Sequence, residues 1–374
     1  MAIRPLLALL LAPLLAACAG TAVAPEQSPE ALSAATPTPS PTPAFAEPGD
    51  LPPLTLDGVF PPRKLSSLRL DPKRIRTLIA TGDVIPARWV DKQIRDRGND
   101  FAYPLSATAD ILRAADLTVI NLEAPLVEGC QLQEAGTFTF CGLPGFAAAL
   151  QAAGVDVATL ENNHIGNWGY EGIDETVARL EAARIKWADR DDAAVMDVRG
   201  LKFGFLAFNG VGEVIDRQVM AAQIRALRPD VDVLAVAFHW GTEYVSVPAP
   251  GPGIAEDDPV EIGHLAVDAG ADLVIGNHPH WVQAVEVYKG KPALSGAEGF
   301  IAYAHGNFIL DQMWSYETRV GVIGKYTFYD DTLVAVQFTP VLIEDYAQPV
   351  PLKGADAQAV LGTMKSASEE LAAR

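Results

Sequence analysis

The chain has 374 residues, of which 28 are Lys or Arg and 47 are Asp or Glu, giving a formal net charge of −19. That balance excludes a protein that works by neutralising nucleic-acid phosphates or by lying on an anionic membrane surface with a basic patch, because both need clustered cations. Three cysteines, at 18, 130 and 141, are too few for a disulfide scaffold and contain no Cys-x-x-Cys pair of the structural zinc type.

Residues 1–18 read as a lipoprotein signal peptide. Arg4 supplies the positive n-region, and an apolar run of about ten residues follows, too short to span a bilayer as a mature helix. The run ends in Leu15-Ala16-Ala17-Cys18, which looks like a bacterial lipobox, with Cys18 as the lipidated first residue of the mature chain. A plain signal peptide with an incidental cysteine is the alternative. The expected location is the extracytoplasmic face of the cell membrane, held by the lipid anchor. No later run of about 20 apolar residues predicts a membrane-spanning helix. Residues 19–72 are dense in Pro, Thr, Ser and Ala over their first two-thirds and are expected to form an extended tether.

From residue 73 to 345 apolar, β-rich runs alternate with helix-period stretches. Strands are expected at 77–84, 116–123, 155–160, 201–208, 231–239 and 271–276, with shorter ones at 284–288, 300–304 and 333–338. Helices are expected at 105–114, 146–153, 173–183, 219–227 and 260–269. Alternation of this kind defines an α/β fold with a largely buried sheet. Cys130 and Cys141 flank ten residues that can turn at 134–136, and in an exported protein such a pair is expected to be a structural disulfide. Residues 346–374 are expected to be a C-terminal tail with a surface helix.

The functional signal lies where the strands end. The runs finish in Gly82-Asp83, in Asn121-Leu122-Glu123, in Glu161-Asn162-Asn163-His164, in His239-Trp240-Gly241 and in Gly276-Asn277-His278-Pro279-His280. Ligands in open α/β sheets gather at these carboxyl edges. A Gly-Asp or Asn-His taken alone is an ordinary turn. His-Pro-His is more specific, since a proline between two histidines rarely serves packing. His264, inside a predicted helix, is expected to be structural or exposed. Asp83, Glu123, Asn163, His239, His278 and His280 form a mixed oxygen and nitrogen set without thiolate, which suits Mn, Fe, Zn or Mg. Six ligands exceed the need of one tetrahedral ion, so two divalent ions sharing a carboxylate are expected.

The order Gly-Asp, Asn-x-Glu, Asn-His, His, His-x-His resembles the metallophosphoesterase (calcineurin-like) superfamily. With Arg88, Gly172, Glu243, Gln283, the segment 303–308 (Tyr-Ala-His-Gly-Asn-Phe) and Asp311-Gln312, it more closely resembles the CapA family of capsule and poly-γ-glutamate biosynthesis proteins. The resemblance spans roughly residues 75–345. It implies a metallophosphatase-like four-layer α/β/β/α sandwich. It implies that the six residues are metal ligands with Glu123 bridging, that His164 is the general acid, and that Arg88 and Glu243 face the substrate. The ordinary phosphoesterase pattern expects histidine where this chain has Ile85, so one ion loses an imidazole; His305 has no assigned role. Two functions follow. One is a metal-dependent hydrolase of a phosphoester or amide in a capsule or cell-wall polymer. The other is a non-catalytic assembly or export component for an anionic polymer, working with a membrane capsule-synthesis complex. Nucleic acid is not an expected partner.

Overall fold

Period-2 alternation decides which face of each strand is buried against what. In the strand Ile75–Val84 (β1), Leu78 and Ala80 enter one core and Ile79 another; in Val233–His239 (β7), Val233, Ala235 and Ala237 enter that first core while Leu234, Val236 and Phe238 enter a third. The computed structural model describes residues 45–133, 136–290 and 298–374. Residues 1–44, including the predicted signal peptide and Cys18, lie outside this description, as do 134 and 135 of the predicted turn.

Two sheets stack face to face. The remaining strands of the first are Leu117–Leu122 (β2), Val157–Thr159 (β3), Lys186–Ala188 (β4), Asn307–Ile309 (β11), Val320–Tyr329 (β12), Thr332–Glu344 (β13) and Gln348–Pro351 (β14). Its order is β14-β13-β12-β1-β2-β3-β4, with β11 also on β1. The second has Ala194–Val198 (β5), Leu201–Asn209 (β6), β7, Leu273–Asn277 (β8), Val285–Lys289 (β9) and Glu298–Ala302 (β10), in the order β5-β6-β7-β8-β10-β9. Strands β1 to β4, and β6, β7, β8 and β10, run parallel, and antiparallel strands extend each block. Every residue of β2 and β7 is buried, as a parallel strand covered on both faces requires.

Helices Trp89–Asp96 (α1), Ala109–Arg113 (α2), Gly145–Ala152 (α3) and Gly169–Ala182 (α4) cover the outer face of the first sheet through Val90, Ile94, Leu112, Phe146, Leu150 and Leu180. Helices Arg217–Leu227 (α5) and Pro259–Ala269 (α6) cover the second through Met220, Ile224, Ile262 and Ala266. The result is a four-layer α/β/β/α sandwich. A short helix, Tyr316–Arg319 (α7), and a long one, Gly354–Ala372 (α8), complete the described chain. No described helix is long and apolar enough to cross a membrane.

The folded unit starts at Phe45 and runs to the end of the chain, wider than the 73–345 predicted. From residue 45 the stretch expected as tether folds into 3₁₀ turns, and Leu54, Val59 and Phe60 enter the inter-sheet core. The expected tail supplies β14 and α8, and α8 touches both β13 and β9, so it closes one end of the same core with Val360 and Met364. Apolar residues spaced among prolines carry no helix or strand period, which hides this packing from a periodicity reading.

Strand β12 and helix α1 are also absent from the sequence reading. In β12, Gly321 and Gly324 interrupt the apolar run. Both sit where neighbours come too close for a side chain: a Cβ on Gly321 would overlap the Asn307 carbonyl, and one on Gly324 would meet the Tyr326 hydroxyl at 2.7 Å. Helix α1 has no local side-chain cap; its first amide, Trp89 N–H, donates to Asp311 Oδ2 at 3.1 Å, from 222 residues away.

Cys130 and Cys141 form a disulfide with Cα atoms 5.9 Å apart. The loop it closes carries Phe140, whose ring lies 4.4 Å from that of His164. Closing a loop of about ten residues should stabilise the domain by about 2–3 kcal/mol. The double variant Cys130→Ala/Cys141→Ala should therefore show a matching drop in urea unfolding free energy. An unchanged midpoint would refute the structural role.

Candidate metal centre

Sheet register brings the strand ends together. Asp83 pairs with Asn121 of β2 on one side and Asn307 of β11 on the other, and His239 pairs with Asn277. Strand β12 leaves β1 after Ala80, and β11 takes its place at Asp83. Gly82 permits that exchange: a Cβ there would overlap the Gly306 carbonyl oxygen, which accepts the Asp83 N–H at 3.0 Å. His278 and His280 sit on left-handed backbone, φ 95° and 57°. Such conformations cost on the order of 1–3 kcal/mol each in a non-glycine residue and concentrate at functional sites.

Two triads of ligand atoms result, each with its atoms within 4.8 Å of one another: Glu123, His239 and His278, and Asp83, Glu123 and His280. Glu123 belongs to both. Asn163 joins the first, its Oδ1 2.8 Å from His239 Nε2, which is itself 3.2 Å from Glu123 Oε1. Glu243 makes a third group with His278 and His280. All six predicted ligands thus meet in one place.

The electrostatics are those of a cation site. Both carboxylate oxygens of Glu123 and both ring nitrogens of His278 are buried with no hydrogen-bond partner. Buried polar atoms are nearly always partnered, and an unpaired buried carboxylate is costly. Burial, and then the charge of Asp83, pushes the Glu123 carboxyl well above its usual range. Burial brings His239 down to about 3 and drives His278 well below its usual value. His280 goes the other way, to about 9: burial opposes the rise, but the hydrogen bond and charge of Asp83 outweigh it. A buried imidazole without partners, His278, beside a buried carboxylate without hydrogen-bond partners offers the donors a divalent ion takes.

Amides orient the cluster. Asn121 donates to Asp83 Oδ1 at 2.9 Å, and Asn162 donates to Asn121 Oδ1 at 3.1 Å. Asn307 donates through Nδ2 to Thr318 O at 2.8 Å, which leaves its Oδ1 to accept from His280 Nδ1 at 2.9 Å and so orients the imidazole. Asn121, Asn162 and Asn307 are neighbours of the cluster to which sequence reasoning gave no role, although all three lay within quoted motifs and the first is in register with Asp83. His164 lies beside the cluster, with Nε2 4.0 Å from Glu123 Oε1. Asn167 Oδ1 accepts the Phe140 amide at 2.7 Å and sits 3.1 Å from His164 Nδ1, so Nδ1 carries the proton and Nε2 faces the cluster. Burial, and then the charge of His239, lowers His164 to about 4.

Four residues have other surroundings. Arg88 is buried and held by Asp311 and the Thr137 carbonyl, with its guanidinium 4.9 Å over Phe140, so its charge is already paired. Ile85 packs with Ala87, Ala124, Phe140 and Leu310 in an apolar cluster. His305 is buried in the inter-sheet core with Nε2 2.9 Å from the Tyr326 hydroxyl. His264 lies outside the cluster and pairs with Glu286 at 2.9 Å.

Four layers and a carboxylate-imidazole cluster on the strand ends define a protein of the metallophosphoesterase type. Residues 77–312 match the family of bacterial capsule synthesis proteins, PGA_cap, and the chain belongs to that family. It is 25% identical over 306 residues to the capsule biosynthesis protein CapA of Bacillus anthracis, covering 75% of this chain and 70% of that one. It is 24% identical over 294 residues to the PGA biosynthesis protein CapA of Bacillus subtilis strain 168, covering 73% and 72%. Among solved structures, a hypothetical protein from Thermus thermophilus superposes with a TM-score of 0.45 at 14% identity, covering 72% of this chain and all of the other.

Proposed function

We propose that this chain is a divalent-metal-dependent hydrolase of a capsule or cell-wall polymer, tethered by a lipid on Cys18 to the outer face of the cell membrane. The observation that carries the reading is the shared carboxylate: Glu123 lies unpartnered between two triads that each hold an imidazole. Asp83, Glu123 and His280 would hold one ion, and Glu123, Asn163, His239 and His278 the other. Bound there, the ions would supply Lewis-acid polarisation of the scissile group and activation of water.

Hydrolysis forms a bond from the water oxygen to phosphorus or to an amide carbon and breaks the bond to the leaving oxygen or nitrogen, which must receive a proton. His164 Nε2 faces the cluster and accepts from Asn163 Nδ2 at 3.2 Å; with Asn163 turned to an ion, that lone pair would be placed to take the proton from the water and hand it to the leaving atom. Asn167 fixes its tautomer, and Phe140 packs against its ring. The family's role in capsule synthesis supports a capsule polymer as substrate.

The test is hydrolysis of phosphoesters and γ-glutamyl amides by purified protein with Mn, Zn or Mg added. His164→Ala should lower turnover by about 10²–10⁴-fold and leave metal content intact. Full metal occupancy with no hydrolysis of either class would point instead to a binding role in polymer assembly. Separately, Cys18→Ala should release the protein from the membrane fraction or block its processing; identical fractionation of variant and wild type would refute the anchor.

A further inference from the structure

Tyr244, Trp281 and Trp314 form one aromatic group beside the ligand cluster. The Tyr244 ring lies 6.1 Å from that of His280, 6.3 Å from that of Trp314 and 6.5 Å from that of Trp281. Trp314 is 63% exposed, a large cost for an indole unless something covers it. Tyr244 holds left-handed backbone at φ 61°, and its amide donates to Pro279 O at 2.9 Å within the His-Pro-His turn. Strain is therefore kept at Tyr244, and its amide is fastened to the segment that carries two of the candidate ligands. Isolated surface aromatics are common and need no explanation. Two indoles, each against Tyr244, at the rim of a buried donor cluster form a platform.

The same loops lack cations. In 84–88, 123–127, 161–170, 240–249, 278–283 and 305–318 the only Lys or Arg is Arg88, and Asp311 engages it. Glu243, partly exposed, adds a negative charge next to Tyr244. A polymer bearing a carboxylate on every residue would meet aromatic faces, which are themselves negative, and a carboxylate, with no free guanidinium or ammonium from these loops to pair. A sugar ring suits this surface better. Its axial C–H face is apolar and slightly positive, and its hydroxyls reach water or Glu243.

Resting on the hydrolase reading above, we propose that the aromatic platform binds a saccharide ring, so that the group offered to the ligand cluster is carried on a sugar and not on a bare polyanion. The test uses N-acetylglucosamine 1-phosphate, glycerol 2-phosphate and a γ-glutamyl oligomer. Trp314→Ala and Tyr244→Phe/Trp314→Ala should raise KM for the sugar phosphate about tenfold relative to glycerol phosphate, and Trp314→Tyr should restore most of it. A second readout is independent of turnover: an N-acetylglucosamine oligomer should quench tryptophan fluorescence of the metal-free protein, and Trp314→Ala should abolish most of that response. Equal KM changes for both phosphates, no fluorescence response to the sugar, or tighter binding of the γ-glutamyl oligomer would overturn the proposal. Sugar binding without hydrolysis of any phosphoester would sustain it while removing the hydrolase reading.

Discussion

Glu123→Gln should raise the stability of the metal-free protein and abolish its stabilisation by metal. The two effects have one cause. In the metal-free protein Glu123 is fully buried, its oxygens lack partners, and burial together with Asp83 lifts its pKa well above the usual carboxylate range. A group whose folded pKa is raised binds more protons folded than unfolded between the two values. Stability is then fully present below about pH 4.5 and is lost as pH rises through the folded value. Glutamine keeps the shape and carries no charge, so this loss should vanish and the variant should melt higher than wild type at neutral pH without metal. With metal the order reverses. A ligand that binds only the folded state stabilises it by about 4 kcal/mol at a thousandfold excess over Kd. Glu123 contributes to both triads, so glutamine should weaken both sites, by at least about 100-fold, the upper end of what even outer-shell changes cost. Asp83→Ala and His278→Ala each touch one triad and should leave the other partly filled. Melting curves with and without Mn or Zn, paired with metal content per chain, decide the matter. A variant that still gains several kcal/mol from metal would show that Glu123 is not shared.

Much of this centre was legible because the strands are buried and their ends are not. Inside β1, β2, β7 and β8 an apolar residue is the default, so a carboxylate or imidazole at or just past the strand's end stands out. His239, His278 and His280 are recognisable for that reason. The partners of those residues were not legible. Asn307 reaches His280 across 27 residues, and Asp311 reaches Arg88, to which the resemblance gave a substrate contact, across 223. Sequence patterns report which residues can ligate; they do not report which charges have already been paired by distant loops. The same limit hid the packing of segments outside 73–345. Phe60 packs on Phe338 with ring centroids 6.2 Å apart, a contact between segments that share no period.

The second large effect is expected at a residue with no functional group. Gly82→Ala should damage the fold and the site together. Its added Cβ would overlap the carbonyl oxygen of Gly306 and lie 2.7 Å from the carbonyl carbon. Both are backbone atoms of a turn fixed on either side, by the Asp83 N–H bond to Gly306 O and by the Val322 N–H bond to His305 O at 2.9 Å. No side chain can rotate away, so the strands must part. Overpacking of this kind costs about 3 kcal/mol or more. The separation would fall between β1 and β11, moving Asp83 away from Asn307 and from His280, whose Nδ1 lies 3.2 Å from Asp83 Oδ2. The Asp83, Glu123 and His280 triad should therefore lose metal affinity more than the Glu123, His239 and His278 triad. Gly362→Ala provides the control. That glycine is exposed within α8, and a Cβ there meets nothing within 4 Å. Alanine in a helix interior is favoured over glycine by roughly 0.5–1 kcal/mol, so this variant should be slightly more stable than wild type with unchanged metal content. Unfolding free energies of the two variants should thus move in opposite directions. If Gly82→Ala retained wild-type stability and two equivalent metals, the close approach of β1 to the 305–306 turn would not be what sets Asp83 in place.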